Sequence, residues 1–142
     1  MSSTDVPDSI RQRVRESARD RCGYCLSPQR YVMGKLEVEH VIPRARGGSD
    51  DESNLWLSCG LCNRYKSSQV TGVDPLSGTT VALFNPRTQA WNEHFRWSPD
   101  GAHILGLTPI GRATVEALRL NNELAVEVRR NWILAGWHPP EE

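Results

Sequence analysis

Between Leu36 and Ser67 the chain reads LEVEHVIPRARGGSDDESNLWLSCGLCNRYKS, thirty-two positions that hold a carboxylate next to a histidine, two asparagines and a Cys-x-x-Cys. A purely structural segment has little need of that combination. The imidazole of His40, with an ordinary pKa of about 6.5, can take a proton from water near neutral pH. Glu39 and Asn63 bring oxygen donors, which suit a hard cation such as Mg2+ or Mn2+ better than they suit zinc. Asn54 is a candidate to hold the imidazole in its useful tautomer through a hydrogen bond. A base beside a hard-cation site is the equipment of phosphodiester hydrolysis: the base activates water, and the cation stabilises charge on the phosphate and the departing oxygen.

The four cysteines fall in two pairs, Cys22-Gly-Tyr-Cys25 and Cys59-Gly-Leu-Cys62. In a chain with no export signal a disulfide framework is improbable, whereas two Cys-x-x-Cys knuckles fit a four-thiolate structural zinc site. A redox dithiol pair is the alternative. Four sulfur ligands leave no open position, so such a zinc holds the fold and does no chemistry. The glycine second in each knuckle reads as a turn residue.

These groups need elements to position them. Asp8 or Ser9 is the expected cap of a helix whose Ile10, Val14 and Ala18 recur at four-residue spacing, after a start expected to be disordered; that helix delivers the first knuckle. Leu36 to Ile42 alternates as a half-buried strand and Pro43 ends it. Arg44 to Ser53 is a polar loop in which Gly47 and Gly48 permit positive φ. Asn54 to Ser58 reads as a return strand, and Gly60 to Ser68 as a helix beginning inside the second knuckle. The unit is thus a β-hairpin packed on one helix and pinned to the N-terminal helix by zinc. On an ideal strand Glu39 and His40 point to opposite faces, so their joint action predicts a twist or bulge near Pro43. Glu37 shares the face of Glu39, either as a partner of the metal ligands or simply as an exposed carboxylate.

Farther on, Asp74 to Gly78 is a turn and Thr79 to Phe84 a strand. His94 to Trp97 and His103 to Leu107 flank Ser98-Pro99-Asp100-Gly101, a strong hairpin signal. Thr108 caps a helix with Pro109 in its first turn, and Asn121 or Asn122 caps a second one closed by Gly136. The apolar stripes of these helices read as core, with a homodimer face or an interface to a larger complex as the other use.

With 142 residues and 38% hydrophobic content, the chain is expected to be one domain over 1–142. Within it, 21–68 is the core carrying the chemistry and 73–142 an extension. No apolar run reaches membrane-spanning length and the start does not read as a signal peptide, so a soluble cytoplasmic protein is expected. Lys+Arg and Asp+Glu both total 17, so net charge neither favours nor excludes an anionic partner. From Ile10 to Lys35, however, seven basic residues stand against two acidic ones, a local positive stripe. Arg44 and Arg46 beside the loop, and Arg64 and Lys66 on the helix after the second knuckle, are candidate phosphate contacts; the plain alternative is a solvated surface. His94, His103 and His138 lack ligand spacing and read as packing or surface residues.

Glu39-His40, Pro43, Gly47-Gly48, Asn54-Leu55, Cys59 to Cys62, Asn63 and Lys66 together resemble the HNH endonuclease motif in its four-cysteine variety. The resemblance covers Arg21 to about Ser67. It implies an α+β fold with a ββα-metal core pinned by the four-cysteine zinc site, followed by a C-terminal β-hairpin and helices. It also implies that His40 is the general base, that Asn54 orients it, and that Glu39 and Asn63 ligate a catalytic Mg2+ or Mn2+. DNA is the implied substrate, with RNA left open. Two positions depart from the family pattern: Asn63 stands where the name implies His, and Glu39 where Asp is common. Two other classes compete, a non-catalytic zinc-knuckle module that only binds nucleic acid and an adaptor subunit of a larger complex. A pure binder has no need of the intact quartet Glu39, His40, Asn54 and Asn63.

Overall fold

A computed structural model describes residues 6–140; the disordered start expected before Asp8 falls mostly outside them. The described residues form an α+β chain that divides into two compact units. One comprises residues up to Val70 together with Asn85–Gln89, the other Thr71–Phe84 and the residues from Ala90 on.

The first unit begins with α1 (Asp8–Ser17). Its N-cap is Pro7, and neither Asp8 nor Ser9 caps it with a side chain, which corrects the expected cap. Proline suits that position because it has no N–H to leave unsatisfied and its fixed φ, here −61°, is compatible with the extended conformation of an N-cap. Val14 is fully buried and Ala18 nearly so, both in a cluster with Leu36, Val38, Leu55 and Leu57. The helix ends where Arg19 and Asp20 take left-handed φ values of 56° and 55°. Arginines of the positive stripe are engaged within this unit: Arg11 donates to the Val6 carbonyl at 3.1 Å, Arg13 pairs with Glu52 at 2.9 Å and Arg15 donates to the Leu36 carbonyl at 2.9 Å.

β1 (Glu37–His40) and β2 (Leu55–Ser58) form an antiparallel hairpin. Its register runs Glu37 to Ser58, Val38 to Leu57, Glu39 to Trp56 and His40 to Leu55, one residue against one throughout. The expected bulge is therefore not in the ladder. With the alternation intact, Val38 and His40 share one side of the strand, Glu37 and Glu39 the other. α2 (Gly60–Lys66) follows, two residues shorter than expected, and Ser67 leaves the helix at φ 51°. Val38 packs with Val14 of α1. On the other side Glu37 bonds Asn63 of α2 at 2.7 Å. The hairpin thus lies between two helices, one on each face.

The second unit holds β3 (Thr71–Val73) paired with β4 (Thr80–Ala82), then α3 (Trp91–His94), the hairpin β5 (Phe95–Trp97) with β6 (Ile104–Gly106), α4 (Pro109–Ala117) and α5 (Glu123–Leu134). The turn at Asp74 to Gly78 joins β3 to β4, a strand pairing that sequence periodicity did not expose because β3 is only three residues long. Thr108 caps α4 through Gly111 N–H and Asn122 caps α5 through Ala125 N–H, as their sequence signals predict. Phe84 and Phe95 meet edge to face at 5.1 Å in the core. Asp74, fully buried, accepts a two-pronged bond from Arg112 and ties the β3–β4 turn to α4. His94 bonds Thr108 at 2.6 Å and His138 the Gly101 carbonyl at 2.9 Å, in keeping with packing roles.

Candidate active site and metal centre

Cys22 and Cys25 come from the turn after α1, Cys59 and Cys62 from the junction of β2 and α2. Their four sulfurs lie within 4.8 Å of one another. A tetrahedron built on Zn–S bonds of about 2.3 Å has edges of about 3.8 Å, and Cys25 Sγ to Cys59 Sγ is 3.8 Å. Backbone N–H groups of Tyr24 and Cys62 point at the sulfurs of Cys22 and Cys59, both at 3.4 Å. Burial pushes the Cys22 thiol well above its ordinary pKa, so a central cation is what would let thiolates gather in this largely buried cluster, in which Cys59 is partly exposed. The cluster fits a tetrahedral metal with no open position. Neither knuckle glycine makes a left-handed turn, since neither has positive φ; Gly23 serves closeness, because a Cβ there would meet Pro86 at 2.7 Å and the Trp56 ring.

On the α2 side of the hairpin, Glu39 is 4% exposed and accepts a short hydrogen bond from the Tyr24 hydroxyl. Burial raises its carboxyl above the ordinary range, opposed chiefly by the nearby Lys66 ammonium. Lys66 is itself 2% exposed, and its Nζ donates to the Val41 carbonyl at 2.8 Å. This corrects the expectation that Lys66 meets phosphates: its position on α2 turns it toward the hairpin, where it satisfies a backbone oxygen and faces a buried carboxylate. Asn63 donates to Glu37 Oε1 at 2.7 Å. Glu37, which sequence reasoning left undecided, is therefore the exposed carboxylate beside Asn63. Its i, i+2 relation to Glu39 was the signal for it.

On the other side, His40 Nε2 lies 2.7 Å from Asp50 Oδ1. The same oxygen accepts from Arg44 Nε at 2.9 Å and Nη2 at 2.8 Å. Bonds from His40 and Arg44 hold the Asp50 carboxyl below its ordinary value. Asn54 does not touch the imidazole, contrary to expectation. Its Oδ1 accepts from Ile42 N–H at 2.9 Å, and its Nδ2 donates to the carbonyls of Ile42 at 3.0 Å and Ser49 at 2.9 Å. An amide carries donors and an acceptor together, which suits pinning a loop backbone better than it suits orienting a ring. Gly47 takes φ 86°, as a loop glycine should, while Gly48 is required because its α-carbon presses against the Ile42 carbonyl. Arg46 bonds the Ser68 carbonyl at 3.1 Å and stays exposed, as does Arg64.

The site therefore offers a sulfur cage, an imidazole fixed through one nitrogen, and a group of oxygen donors one peptide away on the opposite face of β1. Residues 22–69 match the HNH endonuclease family model. The HNH match spans both knuckles, the hairpin and α2, and it points to nuclease activity in general. The ββα core with its four-cysteine site is the arrangement that the sequence resemblance implies. No curated protein and no solved structure matches the chain. Among the described residues no helix is long and apolar enough to cross a membrane.

Proposed function

We propose that the chain is a metal-dependent HNH endonuclease hydrolysing phosphodiester bonds in DNA. The observation carrying this reading is that the family match, residues 22–69, takes in both cysteine pairs of the sulfur cluster together with the hairpin and helix that hold His40 and Asn63. Structural zinc fills the sulfur cage. His40 is the general base that takes a proton from the attacking water. Glu39 and Asn63 would hold Mg2+ or Mn2+, with Glu37 the exposed carboxylate beside them; all three are hard oxygen donors, which fits such an ion. When bound, that cation supplies Lewis acidity to the phosphate and the leaving oxygen. Asn54 acts on His40 through the loop it pins. Arg44, Arg46 and Arg64 supply positive charge around the hairpin end and α2, Arg46 and Arg64 from exposed positions. His40 and the oxygen donors face opposite sides of β1, so the scissile phosphate must straddle the end of that strand.

The burial of Glu39 favours one second reading, a non-catalytic zinc-knuckle module or adaptor that binds nucleic acid without cutting it. Plasmid cleavage by the wild type and His40→Ala, with Mg2+, Mn2+ or EDTA, separates the two. A nuclease shows cation-dependent cutting that His40→Ala lowers by about 10²- to 10⁴-fold. Retarded but uncut DNA with every cation supports the binder.

A further inference from the structure

We propose that Asp50 is a positioning residue that fixes the His40 imidazole as its Nε2–H tautomer and leaves Nδ1 as the basic nitrogen. The inference deepens the nuclease reading and rests on it for the catalytic consequence, though not for the tautomer. An ionised carboxylate only accepts hydrogen bonds, so the ring nitrogen 2.7 Å from Asp50 Oδ1 must carry the proton. Among the described residues no hydrogen bond engages Nδ1. That nitrogen keeps its lone pair for water. The His40 side chain is only 7% exposed, so solvent does little to hold it in place, whereas Asp50 is half exposed and anchored from outside by Arg44 at 2.8 Å. Arg44 keeps Asp50 in the acceptor state, which gives this arginine a structural task besides any phosphate contact.

The loop is built to deliver that carboxylate. Asn54 grips the Ser49 carbonyl one residue before Asp50. The Gly48 N–H donates to the Pro43 carbonyl at 3.0 Å, and the Asp51 N–H to the Ser49 hydroxyl at 3.2 Å. Asp50 is thus fixed on both sides in the chain. Once His40 takes a proton from water, the carboxylate also stabilises the imidazolium. This is the division of labour of a base and its orienting acid in acyl-transfer triads, reached here without any shared fold.

The test uses the full chain labelled with 15N-histidine, with long-range 1H–15N correlation spectra of the wild type, Asp50→Ala and Asp50→Asn, beside plasmid-cleavage kinetics. Far-UV dichroism and melting curves establish that each variant is folded. The wild type should show His40 protonated at Nε2. Asp50→Ala should give a tautomer mixture, and Asp50→Asn, which can donate its own N–H to the ring, should shift it further toward Nδ1–H. With Mg2+ or Mn2+, kcat should fall by about 10- to 10³-fold in Asp50→Ala while KM for DNA changes less than about threefold. A wild-type His40 protonated at Nδ1, or a tautomer unchanged by both substitutions, overturns the proposal. If the tautomer shifts as expected but the wild type cuts no DNA with any cation, the positioning role stands and the nuclease reading has failed.

Discussion

Lys66 separates two physical accounts of the same residue type. An exposed lysine on a nucleic-acid surface contributes about 0.9 to the slope of log affinity against log salt and almost nothing to stability. Lys66 is 2% exposed and spends its ammonium on the Val41 carbonyl and the field of Glu39. Lys66→Met keeps the buried stem and removes the charge. The lost charged hydrogen bond is worth roughly 1.5–3 kcal/mol; the Val41 carbonyl loses its ammonium donor, and the buried Glu39 carboxylate keeps the Tyr24 hydroxyl but loses its compensating charge. For a unit of this size each kcal/mol moves Tm by about 4–8 °C, so the variant should melt roughly 6–24 °C below the wild type. Adding Glu39→Gln should cost less than its effect alone, because the two charges compensate each other in the native state. Melting curves give the first number, and fluorescence anisotropy with labelled DNA from 50 to 200 mM salt, roughly the range over which phosphate contacts show, gives the slope. A Tm within about 2 °C of the wild type, together with a slope reduced by about 0.9, would refute the buried role.

Three further outcomes follow from other parts of the molecule. Gly47→Ala should cost only about 1–2 kcal/mol, since its Cβ meets open space and the penalty is the left-handed φ alone. Gly48→Ala, whose Cβ would collide with the Ile42 carbonyl, should melt lower still and lose the fixed His40 tautomer; equal melting temperatures for the two variants would contradict this. Because its bond to Arg112 holds the Asp74 carboxyl well below the ordinary 3.8, the unfolded chain binds the proton more readily than the folded one. That contribution is complete above pH 3.8 and is lost as pH falls below it, so melting temperatures taken down through that range should drop more steeply in the wild type than in Asp74→Asn. Finally, the purified chain should carry a single equivalent of zinc by mass spectrometry, and Cys62→Ser or prolonged chelation should unfold the first unit, since structural zinc contributes about 10–16 kcal/mol in small domains. A metal-free chain that melts like the wild type would remove the zinc assignment.

The core was legible in the sequence wherever local chemistry allows few solutions. Two Cys-x-x-Cys pairs can share one tetrahedral ion only if their carriers come together, so the knuckles fixed the meeting of α1 with the hairpin and α2 before any packing was considered. Thr108-Pro109 and Asn122 announced helix starts because caps are local bonds. What sequence could not show depends on contacts across the fold. Glu39 and Lys66 have polar types that read as surface, and only the packing of Tyr24 and α2 against the hairpin brings them inside. Asp50 sits in a loop rich in turn formers, where a carboxylate has several local uses; its reach to His40, ten residues back, is set by Asn54 and the glycine pair.

The regular register of the hairpin shapes the chemistry it can support. With no extra residue in either strand, Glu39 and His40 diverge, and each is held by its own partner: Tyr24 on one face, Asp50 on the other. Such a frame keeps a buried carboxylate and an imidazole about one peptide apart without letting them pair. A direct Glu39–His40 pair would instead take that carboxylate away from a cation, costing the proposed metal set one of its hard oxygen donors. On the proposed reading, the loop carboxylate of Asp50 orients His40, and the oxygens of Glu37, Glu39 and Asn63 would be left to a cation. The separation also makes the two halves independently testable: substitutions at Asp50 should alter turnover without changing cation affinity, while substitutions at Asn63 should raise the Mg2+ or Mn2+ concentration needed for cutting and leave the His40 tautomer as it is.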